Sequence, residues 1–217
     1  MFNFSNFYGI HHVNPYEGFD HDSFSLKLEG WGSDHEVFEK LILDKKPKLI
    51  FEVGTWLGAS AIHMAKIIKE NNLDCKIICI DTWLGALEML DNFNDQSTYQ
   101  SLDKYYGFPS VYYQFLANVC KMDCQDIILP FATTSVIAAR FLTRRNIKAD
   151  LIYIDGSHDY IDVKMDIIHY APIVSENGLL FGDDYNGGHP GVKLAVDEFV
   201  SENNFQLELL DSKWIIK

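Results

Sequence analysis

The sequence predicts an α/β fold with a doubly wound, mostly parallel sheet of seven strands, and three observations support this prediction. Short apolar runs typical of buried strands alternate with helical patterns in five successive units. Two last strand-like segments, Phe205–Leu210 and Trp214–Ile216, flank a turn and predict a C-terminal antiparallel hairpin. With 217 residues, 47% of them hydrophobic, the chain can form the core of one domain.

The predicted strands and helices can be placed along the chain. The strands are expected at Lys48–Val53, Lys76–Ile80, Asp126–Phe131, Asp150–Asp155 and Gly178–Tyr185. A helix precedes the first strand, with a capping box formed by Ser33 and Glu36. A helical pattern follows each strand, and the last one begins near Pro190, a residue suited to a first helical turn.

Two segments fall outside this alternation. Residues 1–32 lack clear periodicity and are expected to form an N-terminal arm that covers part of the domain at 33–217. A lid-like insertion is expected at about 82–109, where residues 86–109 are rich in Asp, Asn, Gln, Tyr and Phe. Long connections inside compact domains are usually functional, so this insertion is a candidate cover for a ligand.

Composition and charge exclude several classes of protein. A net charge of −13 with only 18 Lys and Arg residues argues against nucleic acid as a partner, since phosphate binding needs clustered cations. No stretch approaches the roughly 18 apolar residues of a membrane span, so no membrane partner is expected. The start of the chain also lacks the features of a signal peptide.

The cysteines indicate a reducing compartment. Cys75 and Cys79 lie in one predicted strand, Cys120 and Cys124 lie one helical turn apart, and neither pair has CxxC spacing. We therefore expect core thiols in a cytoplasmic protein. Its expected partner is a small-molecule or glycan substrate, and a homo-oligomer is left open.

The turn after the first predicted strand is the main candidate binding element. The strand stops at Gly54, and a helix opens after Gly58 and Ser60. Backbone N–H groups in such a turn, together with the helix dipole, favour a ligand with negative charge or hydroxyl groups. A dinucleotide fingerprint would need glycine where Trp56 stands, because the backbone must approach a pyrophosphate closely. This argues against a nicotinamide oxidoreductase.

The ends of the second and third strands predict an adenosine site. Asp81 closes the second strand, where a carboxylate can accept both ribose hydroxyls of an adenosine. Thr82 and Trp83 come after it, and Trp83 is a candidate to stack on adenine, with ordinary core or lid packing as the alternative. After the third strand, Thr134 and Ser135 are expected to cap a helix and to form one edge of the adenine pocket.

Three further acids are expected to converge. Asp155, Asp183 and Asp184 lie at the ends of two strands that should be adjacent. Such carboxylates repel one another unless a cation lies among them, and an all-oxygen ligand set selects Mg²⁺, Mn²⁺ or Ca²⁺ over zinc. The alternative is that Asp183 or Asp184 only caps the loop before the last helix.

The turn from Gly54 to Ser60, preceded by the acid Glu52, resembles motif I of class I S-adenosylmethionine (SAM) methyltransferases, in particular the catechol-type and macrocin-type O-methyltransferases. The resemblance covers roughly Ser33 to Lys217 and implies their Rossmann-like fold. It implies that Glu52 orients the loop and the cofactor's ammonium group, and that Ser60 binds the cofactor's carboxylate. Together the candidate cofactor-binding residues are Glu52, Gly54, Thr55, Trp56, Ser60, Asp81, Thr82, Trp83, Thr134, Ser135 and Asp155.

The resemblance also implies a metal site and a base. The segment Ile80–Gly85 is similar to the macrocin-type branch, and in both branches residues at the positions of Asp155, Asp183 and Asp184 hold a divalent metal. The catechol branch uses Asn as its third ligand and a Lys three residues after the first acid. Here those positions are Asp184 and His158, the pattern of the branch that methylates sugar hydroxyls. His158 and Asp155 are the expected catalytic residues, and His189 is a candidate for substrate contact. The alternative for His158 is a structural cap at the start of the helix, bonded to the backbone.

We therefore expect a metal-dependent O-methyltransferase that uses SAM and Mg²⁺, with Mn²⁺ as the alternative ion, to methylate a sugar hydroxyl. A non-sugar, catechol-like acceptor is the alternative, and a nicotinamide oxidoreductase or a non-catalytic SAM-binding protein ranks lower. The motif of amino N-methyltransferases after the fourth strand is missing. Aromatic residues of the arm and insertion suit stacking on a sugar ring: Tyr8, Trp31, Tyr99, Tyr105 and Tyr106.

Overall fold

The apolar runs form the predicted seven-stranded sheet in a computed structural model, which describes residues 9–90, 100–186 and 188–217. The described strands are β1 (Leu49–Val53), β2 (Lys76–Asp81), β3 (Lys104–Tyr105), β4 (Phe108–Pro109), β5 (Ile128–Ala132), β6 (Ala149–Ile154), β7 (Val174–Gly182), β8 (Leu207–Leu210) and β9 (Lys213–Ile216). The short strands β3 and β4 pair only with each other and form a separate hairpin.

Helices separate the parallel strands of the sheet, as the sequence predicts. The described helices are α1 (Val37–Lys45), α2 (Ala59–Glu70), α3 (Leu87–Leu90), α4 (Val111–Lys121), α5 (Ser135–Arg144), α6 (Tyr160–Tyr170) and α7 (Pro190–Asn203), with a 3₁₀ turn at Ala171–Ile173. Within the described ranges, no helix combines the length and apolar character needed to span a membrane.

The strand order confirms the predicted fold class. The order is β5-β2-β1-β6-β7-β9-β8. The first five strands in this order are parallel, and β9 runs antiparallel to both β7 and β8, so the C-terminal hairpin completes the sheet. The chain changes direction across the sheet between β1 and β6. In such sheets ligands bind beyond the carboxyl ends of the strands at this switch point.

The central strands are apolar because both of their faces are covered. All five residues of β1 are buried, as expected for a parallel strand packed between helices. On the face covered by α1, the ring of Phe38 lies 5.0 Å from that of Tyr153 on β6. The four cysteines are free thiols, and three of them, Cys75, Cys79 and Cys124, are buried.

The described part of the arm, residues 9–32, packs along one edge of the sheet. Tyr16 is buried, and its hydroxyl donates to the carbonyl of Ile128 on the edge strand β5. Further along, Asn118 of α4 exchanges two hydrogen bonds with the backbone of Lys27. The arm therefore shields an edge strand that would otherwise be exposed.

Among the starts of the helices and strands, those of α1 and β7 differ most from the prediction. The capping box of Ser33 and Glu36 is wrong, since α1 begins only at Val37 and Glu36 makes no side-chain cap. The Nδ1 atom of His35 instead accepts the N–H of Val37 at 3.1 Å. Strand β7 begins at Val174, before the polar stretch 175–177, because pairing with β6 extends to Ala149.

Candidate active site

The turn between β1 and α2 is tight, and Gly54 makes this possible. Gly54 has a φ of +82°, and a Cβ at this position would overlap the carbonyl oxygen of Asp155 and the Cα of Gly156. The turn thus lies directly against the end of β6, which requires a residue without a side chain. Trp56 also adopts a left-handed conformation, with a φ of 51°.

Glu52 fastens this turn from inside the protein. Its carboxylate is fully buried and accepts the hydroxyls of Ser60 at 2.6 Å and Thr55 at 2.8 Å. Desolvation raises the pKa of Glu52 to about 7, although the hydrogen bonds from Ser60 and Thr55 oppose the rise. In this structure the Ser60 hydroxyl therefore bonds within the protein, and Glu52 holds the turn in place.

Asp81 fastens the same turn from the side of β2. Its Oδ2 accepts the N–H groups of Thr55 and Trp56, both at 2.9 Å, and its Oδ1 accepts the N–H of Trp83 at 2.7 Å. A carboxylate has about four acceptor positions, so three of them are already used. One position on Asp81 remains for a ligand hydroxyl, where the sequence suggested two.

Two adjoining cavities open at the carboxyl ends of the strands. The first has a volume of about 410 Å³ and lies over β2 and β5, and the second has a volume of about 460 Å³ and lies over β6 and β7. Both are lined by Gly54, Trp56, Asp155 and Gly156, so they meet where the turn contacts the end of β6. Ala86 and Met89 of the predicted insertion also line both cavities.

Most of the predicted cofactor-binding residues lie on these cavities. The first cavity is lined by Asp81, Thr82, Thr134 and Ser135, besides the shared residues. The second is lined by Thr55 and Ser60. Thr134 is the N-cap of α5, as expected, and accepts the N–H of Ile137.

Trp83 requires a correction. It is only 2% exposed, it packs against the rings of Tyr112 and Phe115, and its indole N–H donates to the carbonyl of Trp56. It does not belong to the described lining of either cavity. Trp83 is therefore a core residue that supports the turn, and the adenine-stacking role is withdrawn.

The three predicted acids come together at the second cavity. Oxygen atoms of Asp155, Asp183 and Asp184 lie within 4.8 Å of one another. We call these three residues the acid cluster. Desolvation raises the pKa of Asp155 to about 7, against the opposing charge of Lys213 and in the same direction as the charges of Asp183 and Asp184.

A buried lysine lies beneath the acid cluster, and the sequence reasoning missed it. Lys213, the first residue of β9, is 0% exposed. Its ammonium donates to Oδ2 of Asp183 and, at 2.8 Å, to the hydroxyl of Tyr153. That hydroxyl donates in turn to Oδ2 of Asp155 at 2.9 Å. A lysine adjoining the apolar run Trp214–Ile216 was the available signal.

Two histidines face the acid cluster from the cavity side. The Nε2 atom of His158 lies 2.9 Å from Oδ2 of Asp184, and the ring of His189 stacks on that of His158 with centroids 3.9 Å apart. Burial alone would raise the pKa of Asp184, but the hydrogen bond and charge of His158, with the charges of His189 and Lys213, lower it. The N-cap of α6 is Asp159, so His158 is not a helix cap.

A second residue missed from the sequence is Asp166 on α6. It is 5% exposed, lines the first cavity, and shares a face of α6 with the buried Val163 and Ile167. Burial raises the pKa of Asp166 to about 6, against a hydrogen bond with Ser135. An acid on the apolar stripe of a helix was the signal that could have indicated it.

Of the described aromatic residues expected to stack on a sugar ring, only some lie at the cavities. Trp31 lines the second cavity and is 78% exposed, as expected of a residue at its mouth. Tyr105 and Tyr106 are exposed on the β3–β4 hairpin and do not belong to the described lining of either cavity. Tyr8 and Tyr99 lie outside the described residues, as does the part of the predicted insertion at 91–99.

Comparisons with known proteins agree with this geometry. A family sequence model described as "Methyltransferase domain" matches residues 51–185 of this chain. No match is found among curated proteins.

Many solved structures share the fold, among them the three described next. The calicheamicin methyltransferase CalS11 is 19% identical, with a TM-score of 0.61 over 84% of this chain and 76% of its own. An O-methyltransferase from Bacillus cereus in complex with SAH is 12% identical, with a TM-score of 0.61 over 90% of this chain and 85% of its own. A Staphylococcus aureus protein described as a caffeoyl-CoA O-methyltransferase is 15% identical, with a TM-score of 0.59 over 88% of this chain and 86% of its own.

The matched segment runs from β1 to just beyond β7, and thus contains the Gly54 turn, Asp81 and the acid cluster. It covers more than half of the 217 residues. The chain therefore belongs to the methyltransferase-domain family.

Proposed function

We propose that this protein is a SAM-dependent O-methyltransferase that acts on a sugar hydroxyl with the help of a divalent cation. The observation that carries the proposal is the junction of the two cavities at Gly54 and Asp155. One cavity has the acceptors and apolar walls that suit an adenosine. The other has carboxylates and imidazoles that suit proton removal from an acceptor. Methyl transfer needs such an arrangement, because donor and acceptor must meet in line without water between them.

The residues present fit SAM. The first cavity would hold the adenosine, since the remaining acceptor position of Asp81 suits a ribose hydroxyl and Thr82, Thr134 and Ser135 could surround the base. The turn from Gly54 to Ser60 would hold the methionine part. Bound there, SAM supplies an electrophilic methyl group on its sulfonium. The buried Glu52 holds the turn through its hydrogen bonds with Thr55 and Ser60.

His158 is the proposed base. It lies at the second cavity, and the contact between its Nε2 and Asp184 fixes the ring, as a carboxylate partner does for catalytic imidazoles. The proton of the acceptor hydroxyl passes to an imidazole nitrogen of His158. The ring of His189, stacked on His158, limits its rotation and completes this wall of the cavity.

The acid cluster fits a divalent cation by the chemistry of its donors. Three carboxylates within 4.8 Å provide hard oxygen ligands of the kind that Mg²⁺ and Mn²⁺ accept. Asp155, Asp183 and Asp184 would hold the ion, and its charge there would lower the pKa of the acceptor hydroxyl. Asp183 can offer a metal ion only some of the acceptor positions of its carboxylate, because Ser212, Lys213 and the N–H of Asp184 already donate to it.

A sugar acceptor is favoured by His158 in place of lysine, and by one of the structural neighbours. CalS11 is named a TDP-rhamnose 3′-O-methyltransferase. The exposed ring of Trp31 at the second cavity offers a surface on which a pyranose can stack. The second candidate is a catechol-like acceptor, which the fold shared with the Staphylococcus aureus protein supports.

Methyl transfer from labelled SAM tests the proposal. The protein is incubated with a panel of nucleotide deoxysugars and deoxysugar glycosides and, in parallel, with catechol and caffeoyl-CoA, each with Mg²⁺ or with EDTA. Label in a sugar that appears only with Mg²⁺ is the expected result. Label only in the phenolic acceptors would favour the second candidate, and equal turnover in EDTA would contradict the metal.

A further inference from the structure

The acid cluster has a cation of its own in the structure. Lys213 is 0% exposed, and its ammonium contacts Asp183 directly and Asp155 through the hydroxyl of Tyr153. A lone ammonium this deep is costly unless its charge is balanced and its hydrogens are bonded. Here Asp183 balances the charge, and two of the three ammonium hydrogens are bonded, to Asp183 and to the Tyr153 hydroxyl. The acid cluster therefore explains how a lysine can be buried at this position.

The surroundings hold the ammonium in place. The Nζ atom lies 5.3 Å from the ring centroid of Phe38, within the range of cation–π attraction, and it contacts Tyr153 at the hydroxyl end of the ring. Lys213 is also paired in the sheet, opposite Leu210. A side chain enclosed in this way cannot swing out to solvent when another cation arrives.

Charge counting shows the consequence for ion binding. With the carboxylates counted as ionised and the two imidazoles as neutral, three carboxylates and one ammonium leave two formal negative charges at the cluster, the number that a divalent cation cancels. Without the ammonium the cluster would have three, and its attraction for a divalent ion would be stronger.

We propose that Lys213 is the permanent counter-ion of the acid cluster: it keeps the carboxylates assembled without metal and weakens their hold on a divalent cation. This inference rests on the metal site of the proposed function. Lys213 is a positioning residue, since it contacts the acids and not the cavity. The ion would then exchange readily, while the cluster stays formed.

Binding of Mn²⁺ tests the inference without reference to turnover. Free Mn²⁺ is measured by its electron paramagnetic resonance signal during titration of the unmodified protein, Lys213→Met, Lys213→Arg and Lys217→Met. Lys213→Met should bind Mn²⁺ about tenfold more tightly or better, since a nearby positive charge is lost. Lys213→Arg keeps that charge and should stay within about threefold of the unmodified protein. Lys217→Met removes an exposed lysine of the C-terminus and should change nothing.

The unmodified protein provides a second test, which stands even if Lys213→Met does not fold. Excess EDTA should leave its melting temperature and its affinity for SAH unchanged, because Lys213 already offsets part of the cluster's negative charge and bonds to Asp183. A Lys213→Met protein with equal or weaker Mn²⁺ binding, or a large loss of melting temperature in EDTA, would overturn the inference. If either of these results were found while methyl transfer persisted, only the inference about Lys213 would fail, and the proposed O-methyltransferase activity would be unaffected.

Discussion

Asp81 accepts three backbone N–H groups and Glu52 accepts two hydroxyls, so each of these acids bonds first to the protein and only then to a ligand. Their position at strand ends could be predicted from the sequence, because apolar runs stop at or beside them. Their partners could not be predicted, since they depend on how the turn folds back. The contact of Lys213 with Asp183 could not be predicted either, because the two residues are 30 positions apart in the sequence.

The prediction at the scale of single residues concerns His158. Replacement by alanine should lower turnover on the identified acceptor by about 10²–10⁴-fold, the usual effect of losing a general base. Affinity for SAH, measured by calorimetry, should stay within about threefold, since His158 lines only the second cavity. His12→Ala, at an exposed histidine, is the control. Turnover close to that of the unmodified protein would mean that the proton leaves by another route.

At the scale of elements, the turn between β1 and α2 sets the geometry of both cavities. Gly54 and Gly107 have nearly equal φ angles, +82° and +83°, but only Gly54 has atoms of other residues around it. Comparing the stabilities of Gly54→Ala and Gly107→Ala therefore separates the cost of the left-handed backbone conformation from the cost of the steric overlap with other residues.

Gly107→Ala should lower the free energy of unfolding by about 1 kcal/mol, the usual cost of a left-handed alanine. Gly54→Ala should cost about 2 kcal/mol more, because the new methyl group overlaps the end of β6. It should also weaken SAH binding at least tenfold. Urea unfolding and calorimetry provide both values, and equal losses for the two variants would contradict the close approach.

Helix α6 carries an acid whose burial makes folding depend on pH. The pKa of Asp166 rises from 3.8 to about 6 on folding, so the native state holds its proton more tightly than the unfolded chain. The contribution of Asp166 to stability is therefore greatest below pH 4 and is lost as the pH rises through 6. A shift of this size corresponds to about 3 kcal/mol.

Replacement of Asp166 by Asn should remove the stability loss that burial of Asp166 causes at neutral pH. The variant should be more stable than the unmodified protein by about 2–3 kcal/mol at pH 7, with the advantage shrinking toward zero at pH 4. Urea unfolding across this pH range checks the trend, with Glu176→Gln, at an exposed acid, as the control. An advantage that does not change with pH would show that burial does not raise the pKa of Asp166.

At the scale of the whole molecule, the sequence predicts the sheet and the convergence of the acids. The alternation of strands and helices dictates a parallel sheet, and parallel strands bring Asp155 and Asp183 to one edge because their carboxyl ends point the same way. Contacts that depend on side-chain packing could not be predicted. Trp83 lies two residues after Asp81 and could point to the cavity or to the core, and only the packing of α4 against it decides for the core.

The central claim is that the first cavity holds the methyl donor and the second holds the acceptor, with the methyl group passing at their junction. A crystal structure of the protein with SAH tests this most directly. We predict adenosine in the first cavity, a ribose hydroxyl on Asp81, and the sulfur at the junction of Gly54 and Asp155, facing the second cavity and His158. SAH bound elsewhere, or with its sulfur turned away from the second cavity, would contradict this claim.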